Sequence, residues 1–188
     1  MFQKKIISCL LLSTMAICVT GQNKYVINNK ASEMTINGTS SIHDWTSVVE
    51  TIEGSVKIDS EGSEIVSLND LSISMLVKSI KSGKNGMDKN TYKAMEETRY
   101  PNILFLLNSI ETWPKDLTYK GNLTISGVTK EVSGLVNYTQ SGASNFNFTG
   151  EINLNITTYN IDPPKAMMGT IKTGDKVTIK YSLQFDKN

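Results

Sequence analysis

The only histidine of the 188-residue chain stands in the tripeptide His43-Asp44-Trp45, which sets an imidazole beside a carboxylate. Such a pair could activate a hydroxyl or thiol for acyl transfer if a nucleophile lay within reach. Here the two are merely neighbours in sequence, and there is no Gly-x-Ser-x-Gly elbow to present a serine. The segment GTSSIHDW reads instead as a turn, with Asp44 capping backbone N–H groups and Trp45 packed inward. Asp88, Glu96 and Glu97 read as charges of a short helix, with Asp88 at or near its N-cap. No loop has the glycine pattern of a phosphate cradle, and one histidine does not make a zinc or transition-metal site. Neither an enzyme nor a metal or organic cofactor is expected.

What remains is apolar. Leu71, Ile73, Met75 and Val77, then Phe105, then Phe148, Ile152 and Leu154, and finally Ile179, Tyr181 and Leu183 form inward-facing stripes. They are either an ordinary core or the lining of a cavity that holds an apolar ligand. Met87, Met95, Met167 and Met168 lie in or near the two segments suited to gate such a cavity. Their unbranched side chains adapt to a flexible apolar chain or fill gaps where loops pack.

The elements that must position these residues are strands. Lys24 to Ile27, Glu33 to Asn37, Val48 to Asp59, Leu68 to Lys78, Ile103 to Ile110, Thr118 to Ile125, Val128 to Tyr138, Phe146 to Ile156 and Lys176 to Phe185 alternate apolar and polar residues or run apolar throughout. Trp113-Pro114 closes the run from Ile103 to Ile110. The result is an all-β chain of about eight strands, and strands this long favour a closed antiparallel barrel over a sandwich. One stretch breaks the pattern: SGKNGMDKNTYKAMEETRYPNILF, Ser82 to Phe105. It predicts a helix that starts at Asp88, docks through Tyr92, Met95 and Tyr100, and stops at Tyr100-Pro101. The strand after it is apolar on both faces at first, so the helix is expected to cap the barrel and shield Leu104 and Leu106.

The N-terminus, MFQKKIISCLLLSTMAICVTG, has the basic start and short apolar run of a secretory signal, cut after Gly21. The run is shorter than the ~20 residues of a spanning helix. A lipoprotein signal at Cys18 is disfavoured by the bulky Ile17 before it. Residues 22–188 then form one domain, and both cysteines, Cys9 and Cys18, leave with the signal. Net charge is +1 and evenly spread, which argues against a nucleic-acid partner. Five Asn-x-Ser/Thr sequons (at Asn37, Asn122, Asn137, Asn147 and Asn155) fall mostly inside strands and are read as composition.

Several of these pieces occur together in one family. KYVINNKASEMTI, EGSVKID, MDKNTYKAMEETRYPNILF, GNLTISGVTKEV and TGDKVTIKYSLQF stand in family order across nearly all of residues 22–188, and the chain resembles the YceI-like family. That resemblance implies an extended lipocalin-like antiparallel barrel, export to a Gram-negative periplasm or secretion, and a long isoprenoid in the barrel, either a polyprenyl chain or a quinone tail. It implies no cofactor beyond that ligand and leaves a homodimer open. The alternative is a secreted interaction or structural barrel with a filled core and a protein partner, its outer Asn, Thr and Ser serving as the display surface.

Overall fold

The computed structural model describes residues 23–62, 64–110, 117–142 and 145–188. The proposed signal segment and Trp113-Pro114 lie outside the described residues. The strands are β1 (Asn23–Ile27), β2 (Glu33–Ser40), β3 (Trp45–Val49), β4 (Ile52–Glu61), β5 (Glu64–Leu76), β6 (Ile80–Lys81), β7 (Asn102–Ile110), β8 (Leu117–Ile125), β9 (Val128–Ser141), β10 (Asn145–Asn155), β11 (Lys165–Ala166) and β12 (Ile171–Lys187). One α-helix, α1 (Asn85–Ala94), separates β6 from β7.

These segments make a closed eight-stranded antiparallel barrel. β1 and β2 run in line and both pair with β12, which closes the ring. β3 and β4 form the second stave, β5 and β6 the third, and β7, β8, β9, β10 and β12 the rest. Period-two alternation along each stave sends one set of side chains inward. β8 shows it plainly: Leu117, Tyr119, Leu123 and Ile125 are buried between half-exposed polar neighbours. Outside, cross-strand polar pairs knit the staves, among them Asn37 with Thr46, Asn147 with Ser182 and Asn153 with Thr178.

The structure departs from the expected elements in four places. The run from Val48 to Asp59 is two strands broken at Glu50-Thr51. There the Asn29 amide accepts the Ile52 N–H (2.7 Å) and donates to the Glu50 carbonyl (2.8 Å), replacing the backbone partners that the kinked staves lose. β5 starts earlier than Leu68, at Glu64, and its faces change phase. Asp70 adopts a left-handed φ of 53°, an extra residue that turns both Leu68 and Leu71 inward.

The helix, thirdly, does not begin at Asp88. Lys84, in extended conformation, precedes its first turn, and no side chain caps it. Asp88 sits inside the helix, buried, and its carboxylate accepts the Ser82 N–H (2.9 Å) and hydroxyl (2.5 Å), tying down the chain that leads in. Nor does Pro101 end it. Glu96 takes a left-handed φ of 50°, Glu97 N–H reaches the Tyr92 carbonyl and Glu96 N–H the Lys93 carbonyl, which is a Schellman termination without glycine. Fourthly, α1 does not cover β7. Leu104 and Leu106 point outward, 43% and 53% exposed. The expected capping does hold: α1 docks at the barrel end and borders the wider cavity there. The Tyr92 hydroxyl accepts from Lys81 Nζ and lies 2.9 Å from the carbonyls of Lys78 and Ile80, and Met95 is buried.

The Asn29 bridge makes a measurable demand. Asn29→Ala leaves the Ile52 N–H without its acceptor at the kink of two staves. Urea unfolding should show a loss of about 1–2 kcal/mol with unchanged slope, whereas an unchanged midpoint would mean that water replaces the amide without cost.

Candidate functional site

The barrel's two ends differ. At the end where β1 begins and β12 finishes, aromatic rings fill the bore. Tyr25 meets Phe146 edge-on with centroids 5.2 Å apart, Phe148 meets Phe185 at 5.6 Å, and Tyr138 lies 6.1 Å from Phe148. Edge-to-face packing of large rings makes a dense floor. Above it lies an interior cavity of about 100 Å³, walled by apolar side chains of every stave. At the other end, among the β2–β3 turn, α1 and the segment before β12, a wider cavity of about 650 Å³ forms a mouth. The two share Ile36, Ile103 and Ile179, which form a collar between them.

Of the residues singled out in sequence, Leu71, Ile73, Met75, Phe105, Phe148, Ile152, Ile179, Tyr181 and Leu183 line the interior cavity. Met87, Met95 and Leu154 line the mouth, as does Ile179 from the collar. Val77 lines neither. It is 1% exposed in a 3-10 turn, Val77–Ser79, where the strand's alternation has ended. Met168 is fully exposed on a left-handed backbone, and the side chain of Met167 lies outside the described residues. Sequence reasoning passed over Met34, Ile36, Ile103 and Tyr119, although all four sit at inward positions of alternating strands. It also passed over Lys84, Lys89, Asn90 and Lys165 of the mouth, because a helix and a loop carry no period-two signal.

The His43-Asp44 pair lies exposed in the turn between β2 and β3. Its turn is capped by Ser40, not by Asp44: Ser40 Oγ accepts the N–H groups of Ile42 and His43 and donates to the His43 carbonyl. His43 Nδ1 lies 2.7 Å from the Asp44 carbonyl oxygen. Trp45 is half-buried, donates Nε1–H to the Thr39 carbonyl, and lays its ring over Gly38, where a Cβ would collide. Among the described residues no three His, Cys, Asp or Glu side chains group as metal ligands, and no helix is long and apolar enough to cross a membrane.

Two phenols interrupt the apolar bore. Tyr119 and Tyr181 each lie across the bare backbone of a neighbouring strand, with Tyr119 Oη 2.9 Å from the place of a Cβ on Gly134 and Tyr181 Oη 2.5 Å from that on Gly150. A larger residue at either glycine would drive the ring into the cavity. Burial pushes both phenols above their ordinary range, Tyr181 the further, with the Tyr119 hydroxyl adding to it. Tyr119 Oη is buried and meets no described group at hydrogen-bonding geometry, Tyr181 included.

An upward shift favours the neutral phenol in the fold. Its contribution is complete below the unfolded value near pH ~10 and is lost as pH rises through the folded value. Stability measured by urea should therefore fall steeply above about pH 10, and Tyr119→Phe with Tyr181→Phe should flatten that slope. It should not abolish it, because Tyr25 and Tyr159 are also raised by burial. Tyr119→Phe alone removes an orphan hydroxyl and should leave stability unchanged or raise it by about 1 kcal/mol near neutral pH. A clear loss would show that the hydroxyl has a partner.

Comparison with known proteins agrees with this architecture. Burkholderia cenocepacia BcnA superposes with a TM-score of 0.71 at 18% identity, over 84% of this chain and 98% of its own. A polyisoprenoid binding domain from Saccharophagus degradans, implicated in plant cell wall breakdown, gives 0.67 at 11% identity, over 89% and 100%. The YCEI protein of Campylobacter jejuni gives 0.59 at 12% identity, over 74% and 82%. No curated protein sequence matches. The YceI-like domain pattern spans residues 25–185, the whole barrel from β1 to β12, and the chain therefore belongs to the YceI-like family.

Proposed function

We propose that this protein is an exported, non-catalytic carrier or store for a long isoprenoid, either a polyprenyl chain or the tail of a quinone. The observation that carries the reading is the pair of adjoining cavities: a narrow apolar bore sealed at one end by aromatic rings, opening through the Ile36–Ile103–Ile179 collar into a mouth of about 650 Å³. A mouth of that size lies in the range of small-molecule sites, about 300–1,000 Å³. A linear branched hydrocarbon suits a bore of this shape. Each CH₂ buried is worth ~0.8 kcal/mol, so a tail needs no polar anchor for affinity. Met34 and Met75 on the bore, with unbranched side chains, can turn aside as a chain enters. The Saccharophagus domain, described as polyisoprenoid binding, supports the same ligand class. The basic and apolar N-terminus, residues 1–21, supports export to the periplasm or beyond.

Two measurements bear on this. Protein purified gently from its native host should release a stoichiometric isoprenoid into organic solvent, identified by mass spectrometry. Ile103→Trp or Ile179→Trp at the collar should cut loading with a polyprenol at least about tenfold with the fold intact, an effect of the size expected for overfilling a packed wall. Leu135→Trp, on an outward-facing side chain, should load as the parent does. Protein that carries no lipid and ignores polyprenols would overturn the reading.

A further inference from the structure

The rim around the mouth carries surface features that a binding cavity does not require. β11 and the start of β12 form a short hairpin, with Met168 near its tip, fully exposed on a left-handed φ of 53°. Across this hairpin Lys165 stands directly opposite Lys172, two like charges in one cross-strand pair, which by itself is destabilising. Among the described residues neither lysine makes an ion pair. The hairpin is bonded to the β2–β3 turn: Ser41 N–H donates to the Lys172 carbonyl (2.9 Å) and Lys172 N–H to Ser41 Oγ (3.2 Å). Next to Ser41, Ile42 is 62% exposed and borders the mouth, as do Lys84 and Lys89 of the α1 region. Of the acids in these segments, Asp88 is taken up by Ser82 and Asp175 by Thr157. Asp44 and Asp162 are left exposed against Lys84, Lys89, Lys165 and Lys172, so the rim carries an excess of positive charge.

We propose that this rim docks on the surface of a bilayer that contains anionic lipid, with Ile42 and Met168 entering the interface and Lys165 and Lys172 meeting lipid phosphates. The inference goes beyond isoprenoid binding and does not require it, because it rests on the outer edge and not on the cavities. Lys172 and Met168 line neither of them. Exposed apolar side chains beside paired ammonium groups make an interfacial anchor: the apolar groups leave water while the basic ones stay at head-group depth. An anionic surface also relieves the repulsion between Lys165 and Lys172, and each lysine near it adds attraction that fades within a Debye length. A soluble acidic chain would meet the lysines alone, whereas a bilayer meets the lysines and the two apolar side chains together. Docking by this rim sets the mouth against the membrane.

The test uses protein purified from its native host and vesicles of phosphatidylcholine, alone or with about one-third phosphatidylglycerol, all free of isoprenoid. At about 50 mM salt the protein should bind the anionic vesicles at least about tenfold more tightly than the neutral ones, and the preference should fade by about 500 mM. Lys165→Gln with Lys172→Gln should weaken that binding about tenfold, and Ile42→Ser with Met168→Ser should weaken it by about the same factor. Met168→Trp should keep the binding, and its emission should shift to the blue on anionic vesicles, beyond any change in the parent. All four side chains are exposed, so the fold should be kept. Equal binding to both vesicles, binding to neither, or unshifted emission from the Met168→Trp variant overturns the inference. So does binding that survives both double variants, the result expected if residues 1–21 were responsible. Lysine-dependent capture of poly-glutamate without vesicle binding would give the rim to an acidic protein, and overturns it too. None of these outcomes touches polyprenol loading, so the isoprenoid reading stands or falls separately.

Discussion

The structure depends on the pairing of β12 with β1 and β2. Seven staves joined by turns would leave two rows of unpaired N–H and C=O groups, an invitation to edge-to-edge association. β12, 17 residues long, pairs with β10 along one side and with β1 and β2 along the other, so both rows are satisfied at once. The first and last segments of the barrel are thereby held together. The closing seam is also stitched at the loop between β1 and β2, where the Asn28 amide reaches Asp186 (2.7 Å) and Ser32 Oγ accepts the Gln184 N–H (3.0 Å). Because closure removes the edges, the barrel can leave Leu104, Leu106 and Leu135 exposed on its wall without offering a strand for pairing.

Closure also sets what the interior can be. The inward side chains of eight staves meet around one axis, and their bulk decides between a solid core and a bore. Here the bulk is graded. Phe146, Phe148, Phe185 and Tyr25 crowd one end into a floor, while glycines at 121, 134 and 150 make room for the rings of Phe105, Tyr119 and Tyr181 to lie flat against the wall. Rings laid along the wall leave the axis open. The charged side chains Lys84, Lys89 and Lys165 line the mouth and not the bore.

The mouth is assembled from segments that the barrel does not need for its hydrogen bonds: α1, the Ser40–Trp45 turn and the chain before β12. Each is anchored by a few local contacts, Asp88 to Ser82, Ser40 to the turn backbone and Asp175 to Thr157. Such segments can change residues with little effect on the barrel beneath.

The sequence by itself determined the all-β class, the strand-rich order and most of the bore. Period-two alternation is a local property, written residue by residue, and it put Ile73, Met75, Phe105, Phe148, Ile152, Ile179 and Tyr181 on inward faces before any neighbour was known. It failed where backbone geometry changes phase without glycine or proline. Asp70 and Glu96 take left-handed conformations that their residue types do not announce, so the start of β5 and the end of α1 were misplaced, and Val77 was carried on as if its strand continued. That α1 caps the barrel was also legible, but only the tertiary structure showed that it leaves Leu104 and Leu106 uncovered, and that Ile36 and Ile103, far apart in the chain, form one collar with Ile179. The charge of the mouth was likewise invisible, because Lys84, Lys89 and Lys165 are scattered in an evenly charged sequence and line one cavity only in the folded chain.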